Sequence, residues 1–302
     1  MSMAFVFPGQ GSQSPQIGVP WSDTPSWRVV EEVADATGVD VGSLVCHASA
    51  EDLVDTAIAQ LTTFAISLAM ADALADAGVI AAHVGGHSLG EYTAVVAGGV
   101  LSLSDGATLV KVRGEAMRSA TMERVGAMAA IVGLDINDVQ TCCEQVDGDV
   151  WVANDNGPGQ VVVAGSPDAI SALTEPVKAA GGRAPMPLKV AGAFHTPFMA
   201  SAQAALDAAI AKTSFNSATI DTWSNVDAAL HTSAAAWPTL LSTQLLSPVR
   251  WRDQITAMAD AGVDHFVEVG PGKVLSGLIK RIAPDAARSS VATPEDIAAL
   301  VA

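Results

Sequence analysis

The segment Gly86-His87-Ser88-Leu89-Gly90 sets a serine between glycines. It follows an apolar run, Ala81 to Gly86, that reads as a strand, and it opens Leu89 to Ala97, which reads as a helix stopped by Gly98-Gly99. A sharp strand-to-helix turn of this kind projects a serine hydroxyl outward, while the glycines let neighbouring backbones approach. The N–H groups and dipole of the following helix favour an oxyanion at the same place. Ser88 is therefore the candidate nucleophile for attack on an acyl carbon. A serine at its ordinary pKa needs a base, and six histidines are available. His87 shares the turn and should point elsewhere. His47, His83, His231 and His265 fall at loop or strand edges, where histidines commonly serve packing or the surface. His195 stands among small and turn-forming residues, Gly192-Ala193-Phe194-His195-Thr196-Pro197, and is the candidate base, with an ordinary loop histidine as the alternative.

Two other glycine-rich turns suggest different chemistry. Phe7-Pro8-Gly9-Gln10-Gly11-Ser12-Gln13 is like a dinucleotide fingerprint, but Ser14 takes the place of the last glycine and no clear strand precedes Asp35. The better reading is a turn whose N–H groups serve the same anion as Leu89. Gly272-Lys273 lacks the upstream glycine spacing and the Ser or Thr of a phosphate-binding loop. The three cysteines, Cys46, Cys142 and Cys143, form neither a disulfide framework nor zinc-ligand spacing, so no metal is expected and a reducing cytoplasm fits best. A net charge of −17 argues against a nucleic-acid partner, because phosphate binding needs a basic surface. Met1 to Pro8 is too short for a signal peptide, and no apolar run reaches the length of about 18 residues that a membrane span needs.

The elements that must position these residues mostly alternate. Ala4 to Phe7, Thr219 to Trp223 and His265 to Val269 read as further strands. Thr62 to Ala77 reads as a buried helix, Ser104 as the cap of a helix reaching about Ala120, and Val274 to Ile282 as a helix after Gly270-Pro271-Gly272. The middle of the chain breaks the rhythm. Ala127–Leu134, Ile136–Val146, Val150–Asn154, Gln160–Ala164, Pro167–Ala180 and Ala184–Val190 read strand, helix, strand, strand, helix, strand. That βαββαβ order marks a ferredoxin-like unit. It carries three basic and eight acidic residues over 125–190, so the acidity is spread along the chain. We expect an α/β fold: a large domain of residues 1–124 and 191–302 with a parallel sheet, and an inserted subdomain of residues 125–190.

Taken in order, Phe-Pro-Gly-Gln-Gly-Ser-Gln at 7–13, Gly-His-Ser-Leu-Gly-Glu at 86–91, Arg-Gly at 113–114, Asn-Gly-Pro-Gly-Gln at 156–160, Ala-Phe-His at 193–195, Ser-Pro-Val-Arg-Trp at 247–251 and Glu-Val-Gly-Pro-Gly-Lys-Val-Leu at 268–275 resemble the malonyl-CoA:acyl carrier protein transacylases. They also resemble the related acyltransferase domains of polyketide synthases. The resemblance runs from about residue 5 to 282. It implies an α/β-hydrolase-like large domain and transfer of a malonyl group from coenzyme A to the phosphopantetheine thiol of an acyl carrier protein, in fatty acid or polyketide biosynthesis. Coenzyme A thioester enters as substrate, and no bound cofactor is implied.

Residue by residue, the resemblance implies that Ser88 attacks the thioester and His195 takes and returns the proton. It implies that the backbone carbonyl of Gln244 orients His195, so that no acidic third member is needed. Asp155 and Asp168, which a search for a Ser-His-Asp order would raise, are then expected to face solvent. The N–H groups of Gln10 and Leu89 form the oxyanion hole. Arg113 binds the malonyl carboxylate, Met117 lies one turn further along the same face beside the acyl group, and Asn156 borders the pocket. Phe194 before His195 marks malonyl over methylmalonyl preference, although a hydrophobic fit discriminates one methylene by only ~1–3 kcal/mol. One departure stands out: Thr62-Thr63-Phe64-Ala65 has Thr63 where the family often has a pocket glutamine, so a polar contact is expected to be shortened or lost. An acidic carrier would need a local basic patch, for which Arg250 with Arg252, or Lys273 with Lys280 and Arg281, are candidates. The alternatives are a serine hydrolase or editing thioester hydrolase on the same scaffold, and a degenerate binding module.

Overall fold

The computed structural model describes residues 2–301, so the outermost domain bounds, 1 and 302, lie outside the described residues. The chain opens with β1 (Ser2–Phe7), followed by helices α1 (Trp27–Thr37), α2 (Val41–His47) and α3 (Thr56–Asp76), then β2 (His83–Gly86), α4 (Leu89–Ala97) and α5 (Leu103–Glu123). Next come β3 (Ala127–Val132), α6 (Ile136–Glu144), β4 (Val150–Gly157), β5 (Gln160–Gly165), α7 (Pro167–Ala172), α8 (Thr174–Ala179) and β6 (Met186–Pro187). The last third supplies α9 (Ala200–Ile210), β7 (Asp221–Thr222), α10 (Trp237–Gln244), α11 (Trp251–Asp260), β8 (Val263–Val269), α12 (Val274–Ile282), β9 (Ala287–Val291) and α13 (Pro294–Val301).

The strands form two sheets. One is parallel throughout, in the order β7-β2-β1-β8-β9, with segments from both ends of the chain. The other is antiparallel, in the order β4-β5-β3-β6. Side chains in the second sheet alternate between two cores, as a strand period of two requires. Ala129, Ile131, Val161 and Val163 pack with Val139, Ile170 and Val177 of its own helices. Met128, Ala130, Val162 and Ala164 face the large core instead. The small sheet thus offers its second face to the large core, and its edge strand also makes one bridge outside the sheet. Asn154 of β4 bridges Val249 in parallel, with Asp155 N–H donating to the Val249 carbonyl at 2.9 Å.

Several boundaries move for identifiable reasons. The side chain of Asp55 accepts from the amides of Ala57 and Ile58, so α3 begins at Thr56 rather than Thr62. By length and composition this helix, with a mean hydropathy of 1.5, could cross a membrane, contrary to the reading of apolar runs, and 72% of that window is buried inside the protein. Ser102, not Ser104, caps α5, accepting from Asp105 N–H at 3.0 Å while its hydroxyl donates to the Asp105 carboxylate. The expected helix 167–180 splits because Pro176 has no N–H to offer Ala172. The strand expected over 184–190 shrinks to Met186–Pro187, where prolines at 185 and 187 cannot feed a ladder. β7 pairs only with His83 and Val84, which confines it to two residues. β4 runs through Asp155, Asn156 and Gly157, so only Pro158-Gly159 form the turn. That extension buries Asp155, which is 1% exposed and sits 3.0 Å from Arg252 Nε instead of facing solvent. Asp168 is exposed, as expected.

Candidate active site

The carboxyl ends of β1, β2 and β8 converge, which is where open parallel sheets hold ligands. β2 ends at Gly86 and α4 starts at Leu89, leaving two residues for the whole reversal. Ser88 absorbs it with φ 54° and ψ −105°, a left-handed conformation that a side chain rarely adopts. The glycines are obligatory here. A Cβ at Gly90 would lie 2.0 Å from the Phe7 carbonyl oxygen, and one at Gly86 would lie 1.9 Å from the backbone of Gly90. Asn225, just beyond β7, braces the turn. Its Oδ1 accepts from Ser88 N–H at 2.7 Å, and its Nδ2 donates to the Gly86 carbonyl at 2.7 Å and to Gln254 at 2.8 Å.

Ser88 Oγ lies 2.7 Å from His195 Nε2. The opposite nitrogen, Nδ1, faces the carbonyls of Gln244 at 3.0 Å and Ser247 at 3.1 Å. Two acceptors fix the proton on Nδ1 and leave the Nε2 lone pair for the serine O–H. The second carbonyl, from Ser247, adds to the single one expected. His195 also has a positive φ, 61°. Burial and the nearby Arg113 charge push its pKa down to about 3, so its ring is neutral at physiological pH.

Arg113 projects from α5 and is 1% exposed. Its Nη2 donates to Ser88 Oγ at 3.1 Å and to Gln244 Oε1 at 3.0 Å, and its Nη1 donates to Gln60 Oε1 at 2.6 Å. Its Nε has no hydrogen-bond partner among the described residues. Gln60 corrects the expectation about Thr63. The amide that Thr63 lacks is supplied three residues earlier on α3, and it also donates to the Met117 sulfur at 3.1 Å. Thr63 itself is buried, and its hydroxyl has no hydrogen-bond partner among the described residues. The Gln244 side chain does more than the sequence suggested. Its Nε2 donates to the Ser88 carbonyl at 2.8 Å and to Glu91 at 2.6 Å. Glu91 is fully buried, and burial pushes its carboxyl up to about 7.

A cavity of about 440 Å³ opens onto Ser88 and His195. Gln10 lines it from the β1 turn, Met117 from α5, Phe194 from the loop before His195, and Asn156 from β4, whose Oδ1 meets His87 Nε2 at 2.8 Å. His87 lines the same cavity, so its side chain does not point away from the site as expected. Among the described residues the backbone N–H groups of Gln10 and Leu89 donate to no other group of the chain. Arg250 and Arg252 are engaged with Asp253 and Asp155, and Arg281 with Gln160. Lys273 and Lys280 are exposed at and along α12, whose residues Val274, Leu275 and Leu278 form one wall of the cavity. Asn225, Gln60 and Gln254 carry no local signal that singles them out, since each reaches its partner from a distant element, whereas Glu91 closes the 86–91 motif without any sign of its role.

An activated serine, a neutral imidazole held in one tautomer, free backbone donors and a buried guanidinium define an acyl-transfer site. A model of the acyl transferase domain matches residues 4–294, and the chain belongs to that family. Its relatives narrow the class. The malonyl CoA-acyl carrier protein transacylase of Escherichia coli strain K12 is 40% identical over 303 residues, covering 98% of this chain and 97% of that protein. The solved acyl-carrier-protein S-malonyltransferase of Burkholderia pseudomallei superposes with a TM-score of 0.94 at 37% identity, covering 100% of this chain and 99% of that one. A malonyl transacylase solved in complex with a type II polyketide synthase acyl-carrier protein gives 0.95 at 33% identity, with coverage of 100% and 99%.

Proposed function

We propose that this protein transfers malonyl groups from coenzyme A to the phosphopantetheine thiol of an acyl carrier protein through a malonyl ester on Ser88. The observation that carries this reading is the buried Arg113 guanidinium 3.1 Å from Ser88 Oγ. A buried cation with no carboxylate in ion-pair range among the described residues is costly, and a carboxylate at the far end of the acyl group answers it. Once Ser88 is esterified its Oγ is a poor acceptor, which frees that Nη2 hydrogen for the malonyl carboxylate.

Ser88 Oγ attacks the thioester carbon as its proton passes to His195 Nε2. The Gln10 and Leu89 amides hold the oxyanion. The carbon–sulfur bond breaks, and His195 returns the proton to the coenzyme A sulfur. The carrier thiol then enters by the reverse sequence. The Arg113 charge is one of the causes that depress His195, so a substrate carboxylate that neutralises Arg113 raises the base toward working pH. The malonyl ester thus strengthens the base that takes the proton of the incoming carrier thiol.

Met117, Asn156 and Phe194 shape the acyl pocket, with Phe194 excluding an α-methyl branch. Lys273 and Lys280 are the remaining basic candidates for carrier docking. We read the large unit, 1–124 with 191–302, as α/β-hydrolase-like and 125–190 as a ferredoxin-like insert, a reading supported by the β4-β5-β3-β6 order and the insert's own core. We place the reaction in the cytoplasm, consistent with three free, buried cysteines. The hydrolase alternative draws no support from the relatives. Radiolabelled malonyl-CoA tests the proposal. Wild-type protein should become labelled and pass label to a carrier, and Ser88→Ala should lower transfer roughly 10 000-fold or more. Labelling of the Ser88→Ala variant, or release of free malonate in place of malonyl carrier, would sink it.

A further inference from the structure

Glu91 sits directly behind the nucleophile and touches neither Ser88 Oγ nor His195 in the structure. We propose that Glu91 is a positioning residue that sets which way the Gln244 amide faces, and through it makes Arg113 selective for a carboxylate-bearing acyl group. This rests on the malonyl-transfer reading above and assigns a residue to its specificity.

The hydrogen bonds run in one direction. Asn225 N–H donates to Glu91 Oε1 at 3.1 Å, and Gln244 Nε2 donates to Glu91 Oε2 at 2.6 Å. Both of these partners are donors, and the two carboxyl oxygens accept one hydrogen bond each from them. With Nε2 drawn to Glu91 and to the Ser88 carbonyl at 2.8 Å, the amide oxygen must point the other way, where it accepts from Arg113 Nη2 at 3.0 Å. An amide has two faces of opposite character, and the Glu91 carboxyl makes the shortest contact on the NH₂ side, 2.6 Å against 2.8 Å to the Ser88 carbonyl. A flipped Gln244 would set its NH₂ against the guanidinium, a donor facing a donor. Arg113 would then turn away from Ser88, and the acyl carboxylate would lose its seat. The backbone of Gln244 meanwhile holds His195 through a separate carbonyl. Side-chain orientation and base orientation can therefore be separated by experiment.

The test compares single-turnover acylation of Ser88 by malonyl-CoA and by acetyl-CoA. In Glu91→Gln one acceptor oxygen becomes a donor. The malonyl rate should fall tenfold or more, roughly the scale of one charge-assisted hydrogen bond. The acetyl rate should fall less, because acetyl has no carboxylate for the guanidinium to hold and loses only the contact to Ser88 Oγ. Glu91→Asp, which keeps both acceptors on a shorter stem, should recover part of the malonyl preference. In an Arg113→Ala background, Glu91→Gln should leave the malonyl-to-acetyl ratio unchanged. Equal loss with both thioesters, or the same ratio change without Arg113, overturns the proposal. If Glu91→Gln does not fold, Glu91→Asp is read alone, and an unchanged ratio in it is fatal. Failure of both variants to fold makes Glu91 a folding residue and equally ends the idea. Failure of wild-type protein to load malonate on Ser88 would instead refute the functional reading.

Discussion

Phe194 meets the cavity as the last side chain before the base, and it is buried there. Its ring is a steric statement about the acyl group, and Arg113 is an electrostatic one. The two act on different atoms of the same substrate and should be separable. Phe194→Ser is expected to raise the methylmalonyl rate relative to malonyl by roughly 10- to 100-fold, the range that one methyl-sized misfit commands in an apolar pocket. Competition between the two thioesters, read by mass spectrometry of the loaded protein, measures the ratio. No change would remove Phe194 from the specificity determinants. At this scale the sequence was informative where a residue's neighbours in the chain are also its partners in chemistry. Ser88 could be found from its flanking glycines, and His195 from the small residues around it. Gln60 could not, because its partner Arg113 is 53 residues away, and a glutamine in a buried helix looks like any other polar residue. The same limit misplaced the pocket amide at Thr63.

The nucleophile turn is held by an element that contributes no chemistry. Asn225 follows a two-residue strand and lies 137 residues from Ser88, yet it satisfies the Ser88 amide, the Gly86 carbonyl and Gln254 together. Asn225→Ala should leave three buried groups short of a partner and cost roughly 2–4 kcal/mol. Because a small misplacement of reacting groups is expensive, acylation should slow about 100-fold. Thermal unfolding and burst kinetics on one preparation read both. A stability loss with an unchanged burst would show that Asn225 supports the fold and not the turn. Element boundaries were legible where a glycine or a helix start marks them, as with α4 and α12. They were lost where one proline decides, as in the α7–α8 break, or where pairing length is set by a neighbour, as in β7 and β6. Asp155 was misread for a related reason: a turn-like sequence, Asp155-Asn156-Gly157, continues as strand because Val161 and Gln160 of β5 pair with it.

For the molecule as a whole, the site carries opposed responses to acid. His195 has a folded pKa of about 3 against an ordinary 6.5. Its stabilising contribution is complete above about pH 6.5 and is lost as pH falls toward 3, because the unfolded chain takes up a proton that the folded chain refuses. Glu91 has a folded value of about 7 against 4.5. Its contribution is complete below about pH 4.5 and is lost as pH rises toward 7. Between pH 4.5 and 6.5 the two oppose each other. The difference in Tm between wild type and His195→Asn should therefore move in favour of the variant on acidification from pH 7 to 4. A pH-independent difference would contradict the depressed histidine.

Residues 244–249 tie the small sheet to the base. Gln244 and Ser247 offer their carbonyls to His195, and Val249 joins β4 of the small sheet. One short stretch thus sets the tautomer of the imidazole and the placement of the cavity's opposite wall. Anyone building chimeras to alter acyl choice faces a constraint that the domain boundaries do not show. A transplanted segment 125–190 must bring this distant hexapeptide along, or the borrowed wall will be seated against a foreign edge and His195 will register the mismatch.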